Sequence, residues 1–303
     1  IKRNPEITRH VRRTHARKSK NTHKNLLVSL RKWTNWVATR GLHDSDAYSG
    51  NGIDLTKATK DDLDDWIDDL RLDGYTDKSI LNYFYDVSRT YREIGHDIGE
   101  DVDTDHLSNS PHIDEHDEIR YIEIEEYEQL LDACRDTRDT LILTLLWETG
   151  VRAGEASDIT IEDINREEQY IKIRTGKQRR GDSSTRKVWY GRSLKKALRN
   201  WLDRGKRNAY LHSDTSRYLL LTKQSNHMPT QRLGEIVHEV AERAGLQDVV
   251  WTTQDGRPQH RIHTHTFRHS FAVHRVKKGM PIVFLQDLMG HADIDVTRQY
   301  LHF

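Results

Sequence analysis

Leu141 to Trp147 is the segment that most restricts what this chain can become. Thr144 is its only polar side chain, so a helix here is apolar almost all round and belongs at the centre of a core. The run is far shorter than the ~20 apolar residues of a membrane span, and no richer run exists elsewhere in the chain. Around it the chain is polar, with 32% of its 303 residues charged. This reads as a soluble protein whose length makes two domains the default.

Formal net charge is zero, but the charge is sorted along the chain. Residues 1–20 carry 8 basic and 1 acidic side chains, net +7, and residues 21–60 are net +3. Residues 61–160 are net −21, and residues 161–303 net +11. Such separation points to basic surfaces that meet a polyanion. A single cysteine, Cys134, excludes an internal disulfide and fits a reducing compartment.

Residues 1–20 are basic and poor in apolar groups, and are expected to be an N-terminal arm that follows phosphates. From residue 21 apolar residues recur at helical spacing: Leu26, Leu30, Trp33 and Val37; then Leu63, Trp66, Ile67 and Leu70; then Ile80, Phe84, Val87, Tyr91 and Ile94. Gly41, Gly74 and Gly95 end the three stretches. Residues 21–96 therefore read as a small all-α domain, and the aperiodic residues 97–119 as a linker. In residues 120–303 helical patterns return, interrupted between 158 and 191. There Tyr170, Ile171 and Ile173, and then Val188, Trp189 and Tyr190, flank a basic glycine-containing turn and predict a β-hairpin.

Three short motifs carry chemistry. Thr149-Gly150-Val151-Arg152 runs on to Glu155; His265-Thr266-Phe267-Arg268-His269 lies far downstream; and Gly290-His291 is followed nine residues later by Tyr300. Arginine forks hold phosphate oxygens in pairs, histidines donate hydrogen bonds or move protons, and a tyrosine hydroxyl can become a covalent nucleophile. Each residue also has a plainer reading. Arg152 could satisfy carbonyls at a helix end, His265 could be an ordinary surface histidine, and Tyr300 could simply pack. His260, His263, His265, His269 and His274 suggest zinc, but no cysteine or acidic triad accompanies them, and no metal is expected.

In their order and spacing the motifs resemble the tyrosine recombinases, the phage-integrase and Xer-type family. That resemblance implies a mainly α protein with a small β-sheet or hairpin: a two-domain clamp with an N-terminal helical (SAM-like) core-binding domain and an α+β catalytic domain. It implies a site-specific recombinase that cleaves and rejoins DNA through a 3′-phosphotyrosyl intermediate. Tyr300 would be the nucleophile and Arg152 and Arg268 the clamp on the non-bridging oxygens. His265 and His291 would add hydrogen bonds, and Glu155 and His269 would support them. Lys177, at the hairpin turn, best matches the family's lysine and would protonate the leaving 5′-oxygen, with Lys187 the alternative. Arg179, Arg180, Arg186 and Lys187 are expected to touch phosphates. No cofactor is implied. The partner would be double-stranded DNA, bound by a homodimer at each site and a tetramer in the synapse, in the cytoplasm at the nucleoid and away from membranes.

Two departures stand out. Met289 occupies a position where the family commonly has leucine, and only three residues follow Tyr300, where the family usually continues into a helix that docks on a neighbouring protomer. Two further functions compete with this one. One is a non-catalytic DNA-binding or architectural protein on the same fold, for which the basic charge of residues 1–20 and 161–303 would suffice. The other is DNA relaxation of the type IB topoisomerase kind, which shares the tyrosine chemistry.

Overall fold

The computed structural model describes residues 4–49, 52–107, 119–174, 185–254, 256–291 and 293–303. The chain divides into two compact units. Among the described residues no helix is long and apolar enough to cross a membrane.

The first unit is built on four helices, α1 (Pro5–Arg17), α2 (Lys20–Arg40), α3 (Lys60–Leu72) and α4 (Asp77–Glu93), with a two-residue ladder of β1 (Tyr48–Ser49) on β2 (Gly52–Ile53) before α3. Ser19, Thr59 and Thr76 cap α2, α3 and α4 by accepting backbone N–H bonds. The stripes expected from spacing face one core, where Leu30, Trp33, Leu63, Trp66, Ile80, Val87 and Tyr91 are all buried. Two polar atoms in that core are satisfied in series. Trp33 Nε1 donates to Tyr91 Oη at 3.0 Å, and Tyr91 Oη donates to the Leu55 carbonyl at 2.6 Å.

Residues 5–17 are not the arm that their charge suggested. Pro5 begins a helix, where its missing N–H costs nothing. Ile7 is buried and Val11 packs one turn later on the same core. Asn4 Oδ1 accepts from Leu55 N at 3.0 Å, tying the start of α1 to the rest of the unit. Two apolar residues at i and i+4 suffice to dock the helix, and the surrounding basic residues hide them from a composition count. Of the expected linker, Ile98 and Leu107 pack back on this core; residues 108–118 lie outside the described residues.

The second unit begins with α5 (Ile124–Asp132), α6 (Thr137–Thr149) and α7 (Ala153–Asp158). Leu141, Ile142, Leu143, Leu145 and Leu146 are fully buried, so α6 is the central helix that its all-round apolar pattern requires. Each such side chain contributes about 1.5–3 kcal/mol relative to exposure, and Leu145→Ala would cost about 2–5 kcal/mol. An antiparallel sheet follows in the order β3 (Ile164–Asn165), β4 (Tyr170–Arg174), β5 (Thr185–Trp189). Ile171 opposes Val188 and Ile173 opposes Arg186. The hairpin tip, with Lys177, Arg179 and Arg180, lies outside the described residues.

The remaining elements are α8 (Arg192–Leu202), α9 (Thr230–Arg243), the hairpin β6 (Val249–Thr252) with β7 (Pro258–His260), α10 (Thr264–Lys277), α11 (Ile282–Met289) and α12 (Asp295–Arg298). Helices α8, α9 and α10 pack on α6. The β6–β7 hairpin was not anticipated: it is short, three of its four β6 residues are exposed, and it has no clean alternation. The whole is mainly helical with small sheets.

Candidate active site

Gly150 ends α6 in the left-handed conformation, φ 60°. A Cβ there would stand 2.5 Å from Phe271 Cδ1, so only glycine makes this turn. The turn delivers Arg152 as the N-cap of α7. Three residues on, the Glu155 carboxylate accepts from Arg152 N at 2.8 Å and from Arg152 Nη1 at 3.2 Å.

Arg186 reaches the same carboxylate from β5. Strand alternation puts it on the inner face with Val188, since residues two apart share a side. Its Nη1 and Nη2 donate to Glu155 Oε1 and Oε2 at 2.9 and 2.8 Å. Burial works to raise the Glu155 pKa, but the hydrogen bonds and charge of Arg186, aided by Arg152, win and hold it below the ordinary value.

Helix α10 supplies the next group. His263 caps it, with Nδ1 accepting from His265 N at 3.1 Å. His265, Arg268 and His269 then fall at i, i+3 and i+4, on one face. Arg268 is 3% exposed. Its Nη1 donates to the Gly150 carbonyl at 2.7 Å and its Nη2 to the Met289 carbonyl at 2.6 Å. Burial, then the charge of Arg152, push its pKa down to about 9, which leaves it a cation at neutral pH.

The C-terminus of α11 gathers three arginines on successive carbonyls. Arg186 Nε donates to Leu288 O at 2.8 Å, Arg268 Nη2 to Met289 O, and Arg152 Nη2 to Gly290 O at 3.3 Å. These are the unpaired carbonyls at the negative end of a helix dipole, a natural seat for cations. Gly290 turns the chain away with φ 63°, and a Cβ there would meet Arg186 Nη1 at 2.8 Å. Arg152 and Arg186 both bond the one carboxylate of Glu155 while Arg268 is held by carbonyls, so positive charge is left over for an anion.

His291 follows directly. Its Nδ1 and the Thr297 hydroxyl are 2.8 Å apart, and Thr297 is fully buried. Burial and the three arginines push His291 down to about 4. Helix α12 then brings in Tyr300, 1% exposed and packed with Phe271, Leu285 and Met289. Tyr300 Oη lies 2.7 Å from His269 Nδ1. Burial pushes the phenol up to about 12, against the opposing charge of Arg268. His269 is pushed down to about 4 by burial and then by His265, His263 and Arg268, so it is neutral.

Arg152, Glu155, Arg268, His269, His291 and Tyr300 thus meet in one place. His265 sits on the same face of α10, exposed, with its ring centre 6.1 Å from that of His269. Arg186, expected to touch phosphate, instead faces inward and is engaged with Glu155. Lys187 lies on the opposite face of β5, exposed, with Nζ 4.3 Å from the Tyr170 ring centre. The histidines that suggested zinc have separate engagements: His260 lies against His238 with the two rings tilted, His263 caps α10, His269 meets Tyr300, and His274 bonds the Ile122 carbonyl. Sequence reading missed the Arg186–Glu155 pair and the Thr297 contact. Alternation along Val188 and Arg186 was the available signal for the first; nothing in the sequence signalled the second.

A model of the phage integrase family matches residues 120–303. The chain is 27% identical over 292 residues to tyrosine recombinase XerD of Bifidobacterium longum, covering 90% of this chain and 83% of that protein. It is 30% identical over 166 residues to tyrosine recombinase XerA of Pyrococcus furiosus, covering 54% of this chain and 49% of that protein. Most of the curated relatives match over only about half of their own length. Among solved structures, XerH bound to its difH substrate matches with a TM-score of 0.66 at 18% identity, covering 93% of this chain and 76% of that one. A lambda integrase dimer bound to a core site matches with a TM-score of 0.66 at 17% identity, covering 98% and 76%. At such identities the likeness is one of fold.

Proposed function

We propose a mechanism from one premise: the chain belongs to the phage integrase family. It is a tyrosine recombinase, an enzyme of site-specific DNA recombination. The observation that carries the assignment of roles is the convergence of Arg152 and Arg268 on the end of α11, beside His291 and Tyr300.

Arg152 and Arg268 take the non-bridging oxygens of the scissile phosphate. Both are held by main-chain carbonyls, Arg152 also by Glu155, so their forks are oriented before DNA arrives and stabilise the charge of the pentacovalent transition state. Tyr300 attacks phosphorus and forms a 3′-phosphotyrosyl bond. That bond keeps the energy of the broken diester, so rejoining needs neither a nucleotide nor a cofactor. His265 and His291 donate hydrogen bonds to the phosphate, Glu155 orients Arg152, and Arg186 orients Glu155. Lys177 protonates the leaving 5′-oxygen. The inward–outward alternation of β5 supports Lys177 over Lys187, whose side chain stands on the face away from Glu155.

The partner is duplex DNA, with a homodimer on each site and a tetramer in the synapse. Residues 21–96 act as a SAM-like core-binding domain. Residues 97–119 act as the linker that lets the two domains hold a duplex between them, and Arg179 and Arg180 touch its backbone.

The test is a nicked duplex carrying the protein's own site, recovered by sequencing DNA covalently attached to it in cells. Wild-type protein traps a covalent adduct, and Tyr300→Phe binds the duplex without forming one. An adduct that persists in Tyr300→Phe overturns the nucleophile. Relaxation of supercoiled plasmid of arbitrary sequence would instead indicate topoisomerase activity.

A further inference from the structure

We propose that His269 is the general base of the cleavage step, taking the phenolic proton of Tyr300 on Nδ1. This deepens the recombinase reading and rests on it for the substrate. The contact of 2.7 Å to His269 is the hydrogen bond of the Tyr300 hydroxyl among the described residues. The other two histidines are placed otherwise. His291 Nδ1 is engaged with Thr297, and His265 lies one helical turn before His269 on the exposed start of α10.

The step balances. As Oη bonds to phosphorus, its O–H bond breaks and an N–H bond forms on Nδ1. Nε2 already holds a proton, so the ring becomes imidazolium. The P–O5′ bond breaks and the departing oxygen takes its proton from the general acid. On rejoining, the imidazolium returns the proton to the phenol oxygen as the tyrosyl bond opens.

The surroundings suit this use. The charged and titratable groups facing His269 are His263, His265 and Arg268 on α10 and its cap, His291 after α11, and Tyr300 after α12. Together with burial, the first three hold the resting imidazole neutral, with its lone pair available across the neutral range. A phosphodiester anion on Arg268 offsets that charge and makes the ring more basic when the proton arrives.

Asparagine separates base from tether, because its Oδ1 can accept the phenol hydrogen bond where Nδ1 stood but cannot take the proton. On the nicked duplex described above, His269→Asn should bind as wild type and cleave about 10²–10⁴-fold more slowly. Its rate should rise about tenfold per pH unit through pH 6–9, where wild type stays level, because phenolate must then form before attack. Placing 3,5-difluorotyrosine at position 300, with its more acidic phenol, should restore much of the loss in His269→Asn. Without DNA, 15N spectra of the imidazoles should show the signal that His269→Asn removes as the Nε2–H tautomer. A protonated Nδ1, an unchanged rate and pH profile in His269→Asn, or no recovery with the fluorinated tyrosine each overturns the proposal. If wild type itself forms no adduct, the recombinase reading fails, and the tautomer still decides whether Nδ1 can accept.

Discussion

Arg186 grips both carboxylate oxygens of Glu155, at 2.9 and 2.8 Å, and so closes a chain of contacts from the inner face of the sheet to Arg152. Both partners are nearly buried, with side chains 12% and 7% exposed. Removing Arg186 leaves the Glu155 carboxylate with only Arg152 to hold it, in a place that water barely reaches.

Arg186→Ala should therefore destabilise the protein by about 3–5 kcal/mol, the usual result of breaking a buried pair. The double variant with Glu155→Gln should recover part of that loss. Urea denaturation of the two single variants and the double variant gives the coupling directly, and additive losses would mean the pair is not the unit described.

Gly290→Ala tests the α11 turn. The substitution needs a left-handed alanine and places its Cβ 2.8 Å from Arg186 Nη1. Strain of this kind costs about 1–3 kcal/mol, and here it also displaces Arg186. Gly245 has φ 69° with nothing within 4 Å of a built Cβ. Gly245→Ala should thus lose stability alone, whereas Gly290→Ala should lose stability and strand cleavage together. Melting curves and adduct yields on the same samples separate the two.

The two candidate lysines make opposite predictions. Lys187→Ala loses its place over the Tyr170 ring and should cleave at close to the wild-type rate, with at most weaker binding at high salt. Lys177→Ala should cleave about 10²–10⁴-fold more slowly. A duplex whose leaving atom is sulfur, which departs without a proton, should restore Lys177→Ala. Restoration of Lys187→Ala instead would reverse the assignment.

His269 and His291 are both held down to about 4, against an ordinary value of 6.5. The folded state therefore binds these protons less readily than the unfolded chain. Their contribution to stability is complete above about pH 6.5 and is lost as pH falls toward 4. The effect is on the order of 1–3 kcal/mol for His269 and less for the more open His291. Urea midpoints measured from pH 7 to 4.5 should fall, and His269→Asn should flatten part of that slope.

How legible was this in the sequence? Regular spacing gave away Leu26 to Val37, Leu63 to Leu70 and Ile80 to Tyr91, because one apolar face repeated every turn is all that a packed helix needs. The motif residues were legible through their resemblance to the tyrosine recombinases, and the structure adds the local reason for one of them: Gly150 turns left-handed and delivers Arg152 two residues on. Helix α1 was not legible, since Ile7 and Val11 dock it while the basic residues around them dominate its composition. The role of Arg186 was hidden for a different reason. Its partner Glu155 is thirty-one positions away, and a basic hairpin looks alike whether its arginines face DNA or a carboxylate. The shared seat for three arginines was invisible because backbone carbonyls carry no letter in a sequence.

That seat has a consequence for how the chain can vary. Side chains at 288 and 289 need only keep their bulk and their apolar character, since the acceptors belong to every residue type alike. Length is another matter. One residue inserted into or deleted from Ile282–Met289 would swing those carbonyls by about 100° and slide them by about 1.5 Å, and all three guanidiniums would lose their anchors at once. Drift in composition is tolerated here, whereas a change of register is not.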